Sequence, residues 1–207
     1  MNRMLSLSKN ILKKKKESLF YEHYRSLFHE TLDRLNLKDL IKISKMIENK
    51  LTKKNNIFVA GNGGSASVAN HFLCDFNKGI KLSSKKNIKP KIYSLVNSLE
   101  LITAISNDLS YEHVFSFQLE NFAKKDDLLI TFSCSGSSKN ITNVIRLAKK
   151  MKLKIICISG FGKKNKFADL SINLNCKNYG VTEDIFSYIM HTTSQFIRSK
   201  YSKTNVL

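Results

Sequence analysis

Two serine- and glycine-rich segments and a few imidazole and carboxylate side chains are where this sequence could do chemistry. Ser133-Cys134-Ser135-Gly136-Ser137-Ser138 follows an apolar run and precedes a helix-forming stretch. Hydroxyls and free backbone amides at a helix N-terminus make an anion cradle that needs no cationic side chain. Ser133, Ser135 and Ser138, at i, i+2 and i+5, can converge on the oxygens of one phosphate. An ordinary N-cap accounts for one serine of such a loop, not four, and the adjacent Lys139 reads as surface charge. Gly61-Asn62-Gly63-Gly64-Ser65-Ala66 has the same strand–loop–helix setting and formally satisfies the dinucleotide fingerprint GxGxxA. That fingerprint wants an acid at the end of the next strand, which here ends Ser94-Leu95-Val96. The nearest acid, Asp75, falls inside the helix after the loop. A tight turn with exposed amides is the better reading, and neither loop reads GxxxxGK[ST].

The ionisable residues come in two pairs. His71 and Asp75 stand at i and i+4 and share one helix face. Glu183 and His191 stand eight residues apart on the last helix-forming stretch. Two imidazoles and two carboxylates suit a divalent, zinc-like ion. Each pair also has a plain reading, an i,i+4 ion pair and two interface polar residues, but the two loops favour the chemical one. Geometry limits it, because eight residues of straight helix span ~12 Å. Glu183 and His191 therefore cannot both ligate one ion from a regular helix of one chain. Either the helix begins just after Glu183, with Thr182 near its cap, or a neighbouring copy donates one of them.

The elements that must position these residues alternate. Residues 1–53 carry Leu, Ile and Phe at three- and four-residue spacings with no Gly or Pro, which predicts a helical hairpin turning near Asn36. Within it, the run Lys13–Lys16 reads as a solvated helix face. Strands are expected at 57–60, 91–95, 127–132, 153–158 and 170–174. Helices are expected over 66–77, 99–105, 112–122, 140–151 and 183–200. Strands alternating with helices imply a parallel sheet covered on both faces, with function at the carboxyl ends of its strands.

The chain has 207 residues, 42% hydrophobic and 25% charged, which fits one folded domain and excludes wholesale disorder. Lys plus Arg is 35 against 16 acidic residues, a formal +19. Only Arg3, Arg25, Arg34, Arg146 and Arg198 are arginines. Bidentate reading of phosphates and bases favours arginine, so the lysine excess reads as solvated surface, without nucleic acid as partner. The separated Cys74, Cys134, Cys157 and Cys176 form no CxxC pair, which speaks against a zinc knuckle or disulfide scaffold. No apolar stretch approaches the ~20 residues of a membrane span, and Lys13–Lys16 interrupt any secretory core. A cytoplasmic protein that does not bind membranes is expected.

Four motifs in this order, strand–GNGGSA–helix, His71 six residues after Ser65, Ser106-Asn107-Asp108, and the SxSGxS loop, resemble the sugar isomerase (SIS) domains. Within that superfamily the chain is similar to the phosphoheptose isomerases over about residues 20–200. The resemblance implies a three-layer α/β fold with a five-stranded parallel sheet. Residues 54–207 would be the SIS domain, and the hairpin 1–53 a part of the same domain that contacts other subunits. It implies a homotetramer with interface active sites and a zinc ion held by His71, Asp75, Glu183 and His191. The implied reaction interconverts sedoheptulose 7-phosphate and D-glycero-D-manno-heptose 7-phosphate through an enediol, supplying activated heptose for surface polysaccharide.

By the same resemblance Asp75 falls on the catalytic base and His191 on its acid/base partner. Ser133, Ser135 and Ser138 fall on phosphate contacts. Asn62, Gly63, Gly64, Ser65, Asn107 and Asp108 fall on sugar-binding or loop-ordering positions. Three residues depart from the family pattern: Asp75 for Glu, Glu183 for Gln, and Phe186 where several members carry a further His. Glu183 is thus an alternative base. A non-catalytic, partner-binding SIS protein of the replication-initiator-associating type is the alternative function.

Overall fold

Strands covered on both faces need near-continuous apolar runs, and the centre of the sheet is built from three of them. In the computed structural model, which describes residues 17–84 and 88–202, β1 (Ile57–Gly61) and β3 (Leu128–Ser133) are buried throughout. β4 (Lys154–Ser159) is buried after its first residue. The shorter β2 (Ile92–Ser94) and β5 (Leu170–Asn173) form the edges. The order is β2-β1-β3-β4-β5 and every pairing is parallel, with Ile57 opposite Leu128 and Leu128 opposite Lys154.

Alternate residues of each strand feed opposite faces. On one face Ile57, Val59, Ile130, Phe132, Ile156 and Ile158 pack with helices α1 (Glu17–Asp33), α2 (Leu37–Thr52), α3 (Gly64–Cys74) and α7 (Tyr179–Tyr201). On the other, Phe58, Ala60, Leu129, Ile155 and Cys157 pack with α4 (Leu99–Asp108), α5 (Val114–Phe122) and α6 (Lys139–Lys150). Three layers result, as the alternation of elements predicts. The hairpin turn also lies where expected, with Asn36 capping α2 by accepting from the Lys38 amide.

Three differences from the sequence expectation bear on the site. The helix expected over 66–77 ends at Cys74 and continues as a π-helical segment, Asp75–Ile80, then a last α-turn at Lys81–Ser83. The helix expected from 112 opens instead with a 3₁₀ turn at Tyr111–His113. Helix α7 starts at Tyr179, four residues before the expected 183, because Asn178 caps it by accepting from the Val181 amide. Lys13–Lys16 and the rest of residues 1–16 lie outside the described residues.

Candidate active site

Both glycine- and serine-rich loops leave the carboxyl ends of adjacent central strands, β1 and β3. They open into a pocket of about 290 Å³ whose remaining wall is Tyr179 and Glu183 from the first turns of α7. Helices α3 and α6 begin at the two loops. Asn36, Ser98 and Asn178 cap α2, α4 and α7 through their side chains. Gly63 before α3 and Ser138 before α6 make no side-chain cap. His113 before α5 makes none either, but the ends of α3 and α6 are the ones at the pocket, where an anion can take the place of a cap.

The serine loop is held by its own backbone. Ser133 Oγ accepts from the Gly136 amide at 3.1 Å and Ser135 Oγ from the Ser137 amide at 3.3 Å. Gly136 makes the turn at φ +65°, a conformation that L side chains resist. Each hydroxyl acts here as an acceptor, which leaves its proton to donate into the pocket. In the other loop Asn62 and Asn140 exchange amide hydrogen bonds at 3.0 and 2.9 Å, and Tyr111 donates to Asn62 Oδ1 at 2.9 Å. That network locks the first loop to the start of α6.

Glu183 is the acid in this pocket. Its Oε1 accepts from Ser65 Oγ at 3.3 Å and from Cys134 Sγ at 3.7 Å. A Cβ added to Gly64 would lie 2.0 Å from Glu183 Oε2, so the missing side chain is what gives the carboxylate its seat. Burial, and then the Glu183 carboxylate, push the Cys134 thiol up to about 12. Cys134 is therefore a neutral donor at neutral pH.

The second group lies further along the same helix. His71, Asp75 and His191 each offer a ligand atom, and these atoms all lie within 4.8 Å of one another. His71 Nε2 is 3.5 Å from Asp75 Oδ1, and the two imidazole rings meet edge to face at 4.7 Å between centroids. Ser194, buried one turn after His191, donates toward Asp75 Oδ2 at 3.1 Å and the His191 carbonyl at 3.0 Å. Asp75 is also the first residue of the π segment, and such turns recur at functional sites. Two imidazoles and a carboxylate fit a zinc-class cation. His71 is half exposed, which leaves the group open on one side.

Several of the residues singled out in the sequence lie apart from one another within one chain. Within one chain Glu183 does not join His71, Asp75 and His191, and a helix beginning just after Glu183 is excluded. Helix α7 is continuous from Tyr179 to Tyr201, so Glu183 sits roughly 12 Å along the axis from His191. Thr182 lies in the first turn of that helix, its amide bonded to the carbonyl of the cap residue Asn178 at 3.0 Å and its hydroxyl donating to the Cys176 carbonyl at 3.2 Å. Asn107 and Asp108 form the exposed last turn of α4 and bond to each other at 2.9 Å, outside the pocket lining of this chain. Phe186 is fully buried against Phe132 and belongs to the core.

Sequence reasoning missed Tyr179, Asn140, Tyr111 and Ser194. Only Asn140 carried a signal, as a polar residue beside the serine loop that the apolar face of α6 leaves buried.

Residues 20–160 match the SIS domain family. The chain is 31% identical over 178 residues to a phosphoheptose isomerase of Campylobacter concisus, covering 85% of this chain and 92% of that one. It is 33% identical over 165 residues to one of Aliarcobacter butzleri, covering 79% and 86%. The fold superposes on that of the phosphoheptose isomerase GmhA of Neisseria gonorrhoeae with a TM-score of 0.78 and 20% identity, over 90% of this chain and 98% of that one. With the loops, the acid pocket and the His–Asp–His group in place, the chain belongs to the SIS-domain phosphoheptose isomerase family.

Proposed function

We propose that the chain is an aldose–ketose isomerase that converts sedoheptulose 7-phosphate to D-glycero-D-manno-heptose 7-phosphate, for activated heptose and surface polysaccharide. The observation that carries this is the pocket itself, where a carboxylate stands beside two anion-accepting loops. The phosphate docks on the hydroxyls of Ser133, Ser135 and Ser138 and the free amides at the start of α6. The other end of the sugar is thereby directed towards Ser65 and Glu183. Isomerisation needs a base to take the proton from the first carbon and return it to the second, and a donor at the carbonyl oxygen.

Within one chain Glu183 is the base that shares the pocket with the phosphate loop. Asp75 has its carboxylate bound to Ser194 and beside His71. It is better placed to hold a cation with His71 and His191. Zinc at that group, when bound, supplies Lewis acidity that polarises a carbonyl and stabilises an enediolate. His191 completes the set as proton donor.

Because the two groups are roughly 12 Å apart along α7, the second group serves a site completed by another copy, in a homotetramer with interface active sites. The free thiols at Cys74, Cys134, Cys157 and Cys176 suit a cytoplasmic enzyme. A purely partner-binding role gives no reason for a carboxylate seated in an anion pocket.

The test is to incubate the protein with sedoheptulose 7-phosphate, with chelator and with added zinc, and to follow the aldose product. Product is expected, and more of it with zinc. No turnover under any metal condition would overturn the reading.

A further inference from the structure

A second cavity lies away from the isomerase pocket. It is a groove of about 890 Å³ lined by Asn55, Asp126, Lys154 and Asp169 around the amino ends of β1, β3, β4 and β5, opposite the active-site end of the sheet. Its long wall is one face of α2. Lys42, Lys45, Met46, Asn49, Lys50 and Lys53 line it, at the i, i+3, i+4, i+7, i+8, i+11 spacing of a single helical stripe. The apolar face of the same helix, with Ile43, Ile47 and Leu51, is spent on the core. The lysine stripe is therefore an independent feature.

Five lysines meet two aspartates in this groove, and the aspartates do not balance them. Both oxygens of Asp169 are committed, one to Lys154 at 2.8 Å and one to the Ile155 amide at 2.9 Å. Lys50 is buried and donates to the Asp126 carbonyl at 2.5 Å, and Lys42 donates to the Asp169 carbonyl at 3.2 Å. Lys45 and Lys53 are exposed, with no anionic partner among the described residues. Burial, with Lys53 and Lys154 alongside, holds the Lys50 ammonium below the usual lysine range, although Asp126 pulls the other way. Like charges on one helix face repel, and a bound polyanion would relieve that repulsion.

The volume falls in the range of small-molecule sites. No arginine and no aromatic ring lines the groove, so it offers neither bidentate base reading nor a stacking platform for nucleotides. We propose that this groove is a second anion site, distinct from the isomerase pocket, that takes a small ligand carrying several linked phosphates.

The experiment is calorimetric titration of the full chain with sodium tripolyphosphate at 50 and 200 mM salt. Saturable binding is expected, weakening at higher salt as screened charge requires. Orthophosphate should bind at least tenfold more weakly. ATP, with the same triphosphate, should bind within a few-fold of tripolyphosphate. The double variant Lys45→Glu/Lys53→Glu should lose at least tenfold in affinity. Lys163→Glu/Lys164→Glu carries the same charge change on exposed lysines beyond β4, at the other end of the sheet, and should lose less than twofold. Lys45→Gln/Lys53→Gln repeats the groove test without introducing acids.

Equal losses in the two Glu pairs would overturn the proposal, and so would a loss confined to Lys163→Glu/Lys164→Glu. A preference for ATP greater than tenfold, or binding to duplex DNA or phosphatidylglycerol vesicles that tripolyphosphate does not displace, would also overturn it.

Discussion

Helix α7 carries two groups of reactive side chains, and they are built on opposite principles. Near its start Glu183 faces a pocket lined by the two glycine- and serine-rich loops and Tyr179. Two turns later His191 joins His71 and Asp75 in an ionisable group, half open to its surroundings. The first group is pre-organised, since Gly64, Ser65 and Cys134 fix the carboxylate. The second is positioned, through Ser194 and the π segment, but not enclosed. On the proposed reading, anion binding and the base belong to the closed group, and cation binding and the proton donor to the open one.

The strongest way to break that division is Glu183→Gln. General-base removal costs about 10²–10⁴ in rate, so kcat should fall by that order while KM stays within a few-fold. Product formation from sedoheptulose 7-phosphate is the readout. Near-normal turnover would return the base role to Asp75. His191→Ala tests the open group. Turnover should fall about a hundredfold or more, zinc affinity measured against a chromogenic chelator should fall with it, and the oligomer should persist on a sizing column. A variant that binds zinc as tightly as the parent would show that the three ligand atoms do not act as one site.

Gly64→Ala sharpens the comparison without touching a reactive group. The new methyl would stand 2.0 Å from Glu183 Oε2. A flexible carboxylate can swing away, so the fold should survive while the base is displaced. A misplacement of about 1 Å is worth up to about a hundredfold in rate, and the expected loss is ten- to a hundredfold in kcat. An unchanged kcat would mean that the position of Glu183 does not matter. Ser135→Ala should act on binding instead, because a hydrogen bond to a charged group contributes about 1.5–3 kcal/mol. KM should rise about tenfold or more with kcat little changed. A pure kcat effect would remove Ser135 from the phosphate site.

The closed group was largely legible in the sequence and the open one only in part, for a physical reason. Strands such as Ile57–Ala60 and Ile155–Ile158 announce themselves by unbroken apolar runs, and a loop such as Ser133–Ser138 lies at the end of one by local chain order alone. His71 and Asp75 share a helical turn, so their meeting is also local. Whether Glu183 belongs with them depended on where α7 begins. That was decided by Asn178 accepting from the Val181 amide, a cap on the far side of the pocket residue Tyr179. Ser194 and Tyr111 act across more than 45 residues of chain, on Asp75 and Asn62 respectively. No spacing rule reaches that far.

The smallest expected effect concerns Cys134, whose thiol stands against Glu183 with no counterpart in the open group. Its folded pKa is raised from the ordinary 9.0 to about 12, first by burial and then by the Glu183 charge. A raised acid pKa means the unfolded chain gives up the proton first. Its stabilising contribution is therefore whole below about pH 9 and is lost progressively as pH climbs toward 12. Cys157, pushed to about 11 by burial, and Tyr201, pushed to about 12 by its bond to Glu48, act in the same window. Cys134→Ser removes the ionisable sulfur but keeps a donor for Glu183, so the fall in urea midpoint between pH 8 and 11 should become shallower without vanishing. If the serine variant loses stability along the same curve as the parent, the thiol does not feel the carboxylate, and the closed pocket is looser than the 3.7 Å contact between Cys134 Sγ and Glu183 Oε1 requires.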